Sequence, residues 1–179
     1  MSIATRTGDD GSTALLFNHR VSKTHPRVAA NGVLDELNAA LGLARAWLAD
    51  PLAHSTLLAA QKHLVHAMGE VAVLPEDQER YVAQGFQPLA PDCVRELDLV
   101  ISQLEEGGKI SYRHWATPGA TRESAFLDLA RTVCRRAERE IVRLAESDVQ
   151  PNPLLLPFLN RLSDVCWLLA RHVETQAGV

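Results

Sequence analysis

The chain has 179 residues, of which 46% are hydrophobic, 22% are charged and only 5% are aromatic. This length and balance suit one globular domain, and a core built mainly from Leu, Val and Ala favours helices over sheets. A formal net charge of −4 argues against general binding to nucleic acid or to an anionic membrane, so any site for a polyanion must gather its positive charge locally.

The cysteines and the N-terminus indicate a cellular location. Cys93, Cys134 and Cys166 are far apart and form no CxxC pair, which is typical of buried thiols in a reducing cytosol rather than of a zinc site or disulfides. The first residues lack the apolar stretch of a signal peptide, and no apolar run reaches the roughly 20 residues needed to span a bilayer. We therefore expect a cytoplasmic protein.

The first half of the chain predicts a loop followed by two helices. Residues 1–27 contain glycines, a proline and many polar residues, and they indicate an extended loop. Apolar residues at helical spacing predict a first helix over 28–49 and, after the break at Pro51, a second over 52–74. The polar segment 75–91 is interrupted by glycine and proline, and we expect a surface connection there.

Two more helices follow in the second half. Asp92 is a favourable N-cap for a third helix, which the glycine pair 107–108 ends. Thr121 and Ser124 are alternative N-caps for a fourth helix that runs to about residue 146.

A fifth helix is predicted over 154–174. Five antiparallel helices with short links predict an all-α five-helix bundle. The sequence contains no repeat and no low-complexity tract, so residues 1–179 form a single domain, with an N-terminal loop over 1–27 and a helical bundle over 28–175.

The N-terminal loop is the first candidate binding site. Its sequence from Thr5 to Thr13 is TRTGDDGST, in which glycines let backbone amides crowd around an anion while Arg6 and several hydroxyl groups add donors. Lys23 follows ten residues later and could return to the same anion. The segment lacks the residue order of a Walker A motif. The alternative to anion binding is that this segment is a flexible polar arm.

The fourth helix carries the second candidate site. Arg131, Arg135 and Arg139 are spaced i, i+4 and i+8 and share one face, where like charges repel each other unless a partner supplies negative charge. The opposite face, which includes Leu129 and Ile141, is predicted to be core. The arginine face is either simply solvated or bound to a polyphosphate or a carboxylate partner.

Two other helices carry polar residues among apolar ones. Asp35 lies in the first helix and has a candidate partner in the arginine face, whereas its neighbour Glu36 fits an exposed acidic turn. Asn160 and Asp164 share one face of the strongly apolar fifth helix, and polar residues in such a position usually have a partner or a ligand.

Metal-binding residues are not indicated. His63, His66 and Glu70 could suggest a metal, but the Glu-x-x-His pattern of di-iron bundles is absent from the chain. We interpret these histidines as partly exposed helix residues and expect no protein-bound metal.

Together, these motifs resemble those of the PduO-type cobalamin adenosyltransferases. The resemblance runs from Thr5 to about Arg171 and rests on TRTGDDGST, Lys23, GVLDELNAALG, ARTVCRRAERE and FLNRLSD in that order. It implies an enzyme that transfers the 5′-deoxyadenosyl group of ATP to the cobalt of cob(I)alamin, giving adenosylcobalamin and triphosphate. It also implies a five-helix bundle that assembles as a homotrimer, with each active site between two subunits.

The resemblance assigns roles residue by residue. Arg135, Arg131 and Asp35 become catalytic, with Asp35 and Arg131 forming an ion pair at the subunit interface, while Trp115 and Asp164 become cobalamin contacts. The implied ATP contacts are Thr5, Arg6, Thr7, Gly8, Asp9, Gly11, Ser12, Thr13, Lys23, Arg135, Glu138, Arg139 and Asn160. Mg²⁺ would be held mainly by the ATP phosphates. A reductase that supplies electrons to cobalamin, and an adenosylcobalamin-dependent enzyme, are the implied partners.

The chain departs from the family pattern at three positions. Trp115 stands where a Phe is usual, Ala29 where an acidic residue is common, and Asp128 where a His is often found. A loop Trp without a ligand could instead cap the bundle core. The other functional readings are an ATP- or corrinoid-binding regulator or chaperone without turnover, and a structural bundle without a ligand.

Overall fold

The computed structural model describes residues 4, 6–107, 110, 115–147 and 152–179, so Thr5 of the N-terminal loop lies outside the described residues. The fold is predominantly helical, which confirms the class predicted from the composition. The described elements are, in chain order, β1 (Ser12–Ala14), β2 (Arg20–Ser22), α1 (Pro26–Trp47), α2 (Pro51–Val71), α3 (Gln78–Ala83), α4 (Asp92–Glu106), α5 (Arg122–Ser147) and α6 (Leu155–Ala177). Single 3-10 turns lie at Leu16–Asn18 and Pro75–Asp77.

The N-terminal segment is more ordered than the predicted extended loop. β1 and β2 pair antiparallel, with Ser12 opposite Ser22 and Ala14 opposite Arg20. α1 begins at Pro26, two residues earlier than predicted, because proline fits the first helical position and His25 Nδ1 accepts a hydrogen bond from the backbone N–H of Arg27 at 3.2 Å.

Most residues of the predicted surface connection over 75–91 are exposed, as expected, but the segment is not wholly irregular. The segment contains a 3-10 turn and the short helix α3, which make six helices in the described chain where five were predicted. Tyr81 of α3 is buried and stacks on Phe86 with ring centroids 4.9 Å apart. A six-residue helix held by one aromatic side chain is too short for apolar periodicity to reveal it.

The helix starts show one correct and one incorrect capping prediction. At α5, Thr121 Oγ1 accepts from the backbone N–H of Ser124 at 3.0 Å, and Ser124 Oγ accepts from that of Thr121 at 3.1 Å, so the two candidates act together. At α4, Asp92 is already the first helical residue and caps nothing, because Pro91 has a helical backbone with φ −56°.

The long helices enclose a single apolar core. α1 packs against both α2 and α5, and α6 packs against α4 and α5, so α1 lies between α2 and α5. The largest fully buried side chains are Leu34, Leu37, Leu41, Leu57, Leu64, Leu127, Ile141, Leu144, Leu155, Phe158, Leu159 and Leu162. This arrangement decides which polar residues can meet within one chain.

Leu129 is an exception to the predicted core face of α5. Its side chain is 48% exposed, whereas Leu127, Ala130 and Cys134 are fully buried. Successive helical residues are rotated by about 100°, so Leu129 falls outside the buried stripe that those three residues define. The prediction that Leu129 belongs to the core was therefore wrong.

Within the described part of the chain, no helix combines the length and apolar character required to cross a membrane.

Candidate functional site

The N-terminal loop is closed by Lys23, as the sequence predicts. A Cβ atom placed on Gly8 would lie 3.0 Å from the carbonyl oxygen of Ser12 and 3.2 Å from Lys23 Nζ, so a larger residue would displace the loop or the ammonium group. Lys23 N donates to the carbonyl oxygen of Gly11 at 3.0 Å, and Gly11 itself has φ +82°, where glycine is favoured. The Lys23 side chain thus lies against Gly8, and hydrogen bonds within the loop hold its backbone.

Arg20 organises this loop, and sequence reasoning missed it. Its Nη2 donates to the carbonyl oxygen of Thr7 at 2.8 Å and to Ser12 Oγ. Asp10 Oδ1 accepts from the side chain and the backbone N–H of Ser12 at 2.7 and 2.9 Å, and these bonds lower the pKa of Asp10. The β1–β2 pairing is the feature that places Arg20 beside the loop, and this pairing was not predicted from the sequence.

The loop is anchored on the C-terminal end of α2. Leu16 N donates to the carbonyl oxygen of Ala72 at 2.9 Å, and His19 Nε2 lies 2.5 Å from Asp77 Oδ2. The buried Arg27 donates from Nη1 to the carbonyl oxygen of Val73 at 2.7 Å, which satisfies an acceptor left open by the end of α2.

A groove of about 350 Å³ lies beside this loop. Thr13 borders it on one side, Asp35 of α1 on another, and Met68 and Ala72 of α2 add apolar surface. Asp35 is therefore on the α2 side of α1, next to the loop.

The second cluster lies on α5 and α6. Arg135 and Arg139 are both exposed, and Arg139 Nη1 donates to the carbonyl oxygen of Arg135 at 3.0 Å. Asn160 Nδ2 donates to Glu138 Oε1 at 3.2 Å and so joins the two helices. The structure brings together the helix residues that the sequence analysis named as one group.

Arg161 and Asp98 extend this cluster to α4, and sequence reasoning assigned neither a role. Arg161 donates from Nη1 to Asn160 Oδ1 at 3.0 Å and from Nε to Asp98 Oδ1 at 2.9 Å. Asp98 is 63 residues away in the sequence, and only the packing of α4 on α6 brings the pair together.

Asp164 lies at the edge of a second groove of about 350 Å³, which Trp167 and Ile101 also line. Partial burial raises the pKa of Asp164 above its usual value, while the nearby cations Arg161 and Arg135 oppose the shift. This carboxyl is thus close enough to Arg135 to interact with it electrostatically.

Within the chain, Arg131 pairs with a residue other than Asp35. Arg131 Nε donates to Asp128 Oδ1 at 3.3 Å. Glu36 of α1 forms an ion pair with α5, accepting from Arg136 Nη2, whereas Asp35 lies beside the N-terminal loop. Glu36 is exposed, as predicted, and in addition forms a surface ion pair with Arg136 of α5.

Trp115 does not cap the bundle core. Its side chain is 94% exposed, so the alternative in which this loop Trp covers the apolar interior is excluded.

Among the described residues, no group of three or more His, Cys, Asp or Glu side chains is placed to hold a metal ion. Two of the residues considered for a metal have other partners. His63 Nε2 lies 2.9 Å from Glu96 Oε2, and the buried Glu70 accepts from the backbone N–H of Leu89 at 2.8 Å.

The fold and the two clusters together define a helical protein that carries a glycine-containing loop with a lysine and, separately, an exposed arginine face. The family model for cobalamin adenosyltransferase matches residues 3–173, and the chain therefore belongs to this family.

Relatives and solved structures agree with this assignment. The chain is 38% identical to the corrinoid adenosyltransferase PduO of Salmonella typhimurium over 181 residues, which cover 99% of this chain and 51% of that protein. It is 32% identical to the corrinoid adenosyltransferase of Bacillus subtilis, covering 100% of this chain and 90% of that one. The chain thus spans about half the length of its PduO relatives.

A variant PduO-type ATP:corrinoid adenosyltransferase from Lactobacillus reuteri, complexed with cobalamin and ATP, has a similar structure. The TM-score is 0.87 at 30% sequence identity, with 99% of this chain and 96% of that chain covered.

Proposed function

We propose that this chain is an ATP:cob(I)alamin adenosyltransferase, which transfers the 5′-deoxyadenosyl group of ATP to the cobalt of cob(I)alamin. The observation that carries the proposal is the pair of clusters in a chain of this family: a loop closed by Lys23 beside Gly8, and an exposed face with Arg135, Glu138 and Asn160. Both are suited to a polyphosphate, one through a lysine on a glycine-containing loop, the other through guanidinium groups.

ATP would be held by both clusters at once. The loop would bind the triphosphate, because the Lys23 ammonium group lies against Gly8 of this loop. The proposed ATP contacts are Thr5, Arg6, Thr7, Gly8, Asp9, Gly11, Ser12, Thr13 and Lys23 from the loop, with Arg135, Glu138, Arg139 and Asn160 from the helices.

The reaction requires little covalent help from the protein. The electron pair of cob(I)alamin cobalt attacks C5′ of ATP, the cobalt–carbon bond forms, and the C5′–oxygen bond breaks as triphosphate leaves with its electron pair. The protein must hold C5′ in line with the cobalt and stabilise the charge on the leaving group, for which Lys23, Arg135 and Arg139 are suited. Mg²⁺ is proposed to enter on the triphosphate, since the described carboxylates and histidines form no metal site.

The corrinoid would lie next to Arg135. Asp164 is close to Arg135 and borders a groove with apolar walls, which supports its role as a cobalamin contact. Trp115 is exposed and free of the core, so it is available to cover the lower face of the cobalt and exclude an axial ligand there.

The enzyme is proposed to act as a homotrimer of bundles formed by the five long helices, with sites between subunits. The loop is anchored on α2, the arginine face lies on α5, and α1 packs against both helices, an arrangement that supports a site completed by a second copy. Leu43 and Trp47 of α1 and Leu129 of α5 are large apolar side chains at the surface, and Trp47 stacks on Phe126 across the two helices. This apolar surface supports a contact with another copy. Asp35 of one copy would then pair with Arg131 of the next.

The remaining partners follow from the chemistry. A reductase must supply electrons to cobalamin, and an adenosylcobalamin-dependent enzyme would consume the product. We place the protein in the cytoplasm, where its three free cysteines stay reduced.

The direct test mixes the protein with ATP, Mg²⁺ and chemically reduced cobalamin and follows the cobalt–carbon product by its visible spectrum. We expect product at a rate that depends on protein concentration. Binding of ATP and cobalamin without product would replace the proposal with a regulator or chaperone, and binding of neither would leave a structural bundle.

A further inference from the structure

A buried ionic group lies beneath the arginine face of α5. Asp128 is only 3% exposed, and Arg171 of α6 is 6% exposed. Arg171 Nη2 donates to Asp128 Oδ2 at 2.8 Å, while its Nε and Nη2 donate to the two carboxylate oxygens of Glu174 at 2.6 and 2.9 Å. Buried charges of this kind are costly to desolvate and are not in themselves evidence of stabilisation.

Arg171 is held as a fixed cation in this group. Burial by itself would lower the pKa of Arg171, but the hydrogen bonds to Glu174 and Asp128 outweigh it and raise the pKa above its ordinary value. Glu174 accepts from Arg171 through both of its carboxylate oxygens, whereas Asp128 accepts from Arg171 through Oδ2 alone.

The other oxygen of Asp128 is bonded to Arg131. Oδ1 accepts from Arg131 Nε at 3.3 Å, so one carboxylate bridges a buried and a partly exposed arginine. The Arg131 side chain is 27% exposed, so part of it reaches the surface. With Nε engaged by Asp128, the terminal nitrogens remain available for another acceptor.

We propose that Asp128 is a positioning residue, which fixes the Arg131 guanidinium so that its terminal nitrogens meet a carboxylate of a second copy of the chain. The inference rests on the proposed function, in which that carboxylate is Asp35. Arg135, one turn further along α5, repels Arg131, and Asp128 supplies the negative charge that offsets this repulsion.

The test compares Asp128→Asn with Glu174→Gln as a matched control. Both changes remove one carboxylate from buried Arg171, but only the first removes the anionic partner of Arg131. We expect both to lower the melting temperature. Only Asp128→Asn should also weaken subunit association in sedimentation and raise the KM for ATP. Each change should be about tenfold or more, which is the effect of losing one hydrogen bond to a charged group.

A second comparison asks whether Asp128 acts through Arg131. In an Arg131→Ala background, Asp128→Asn should cause no further shift in either quantity. An equal shift in both backgrounds, or an equal effect of Glu174→Gln, would overturn the proposal and leave Asp128 purely structural. Sedimentation decides this even if the wild-type protein forms no adenosylcobalamin, a result that would instead contradict the proposed function.

Arg131→Lys covers the case in which Asp128→Asn does not fold. Lysine keeps the positive charge but has a single side-chain nitrogen. The arginine guanidinium instead contacts Asp128 through one nitrogen and leaves its terminal nitrogens for a second acceptor. Subunit association as weak as that of Arg131→Ala is expected, and wild-type behaviour would overturn the proposal.

Discussion

At the scale of single residues, the exposed arginines of α5 differ in what surrounds them. Arg135 lies near Asp164 and one turn from Arg139, in the cluster that also contains Glu138 and Asn160. Arg143, on the same helix, is highly exposed and pairs only with Glu140 at 2.8 Å among the described contacts. Replacing Arg135 and Arg143 in turn therefore compares an arginine of the candidate site with an exposed arginine outside it.

Replacing Arg135 with Ala should keep the fold and remove most turnover. Each charge-assisted bond to triphosphate contributes roughly 1.5–3 kcal/mol, so kcat/KM should fall by about ten- to hundredfold for one lost bond. Arg143→Ala is the control and should leave kcat/KM unchanged. Melting curves would establish that both variants fold, and wild-type activity in folded Arg135→Ala would remove Arg135 from the site.

Trp115 separates corrinoid chemistry from simple ATP binding. Because the side chain is 94% exposed, Trp115→Ala should leave the melting temperature and the ATP affinity nearly unchanged. It should slow turnover from cob(II)alamin with a weak reductant, since a returning axial ligand makes cobalt harder to reduce. Turnover of cobalamin supplied already as cob(I)alamin should be affected much less. Equal losses in the two assays would show that Trp115 does not face the cofactor.

At the scale of elements, the N-terminus of α2 depends on one carboxylate. Asp50 Oδ1 accepts from the backbone N–H of Ala53 at 2.8 Å, and Oδ2 accepts from Gln176 Nε2 of α6 at 2.9 Å and lies 3.3 Å from His172 Nε2. Partial burial would raise the pKa of Asp50, but these hydrogen bonds outweigh it and lower the pKa below 3.8. The charged carboxylate thus stabilises α2 and its contact with α6.

Asp50→Ala should reduce the free energy of unfolding at neutral pH by about 0.5–2 kcal/mol, the usual contribution of an N-cap. A carboxyl whose native pKa is depressed contributes stability that is fully present above its unfolded pKa and is lost as the pH falls through the native value. The difference between wild type and variant should therefore shrink below a pH of about 4. Denaturant unfolding across this range is the measurement, and a difference that stays constant would contradict the ionic part of the role.

At the scale of the whole molecule, the proposed trimer would bring the two clusters together between copies. Lys23 belongs to the loop on α2, and Arg135 belongs to α5 on the other side of α1. Lys23→Ala and Arg135→Ala should each be inactive when assembled alone. The first variant would still carry an intact arginine face, and the second an intact loop.

Mixing Lys23→Ala chains with Arg135→Ala chains, by refolding them together, should therefore restore activity. With random assembly, about a quarter of the sites would combine an intact loop from one copy with an intact helix face from another. The restored activity should approach that fraction of the wild-type rate. If mixing restores nothing although mixed oligomers form, each site lies within a single chain.

Sequence periodicity and motif order anticipated much of this architecture. The apolar repeats place the five long helices within a few residues of their observed bounds. A helix that buries one continuous face must carry apolar residues at helical spacing, so the pattern can be recognised in the sequence. The short helix α3 and the β1–β2 pairing escaped prediction, since each is held by a few contacts that have no periodic signal. For the same reason Arg20, which orders the loop through Thr7 and Ser12, was not identified.

The sequence by itself determined the helical class and the family resemblance, and through that resemblance it grouped Glu138 with Asn160. Tertiary structure alone decided the partners of the charged residues. Within one chain, it joined Arg161 to Asp98, paired Arg131 with Asp128 rather than with Asp35, and placed the buried Arg171 against Asp128. The physical reason is that helical spacing defines which residues share a face, whereas the packing of one helix on another defines which charge that face meets.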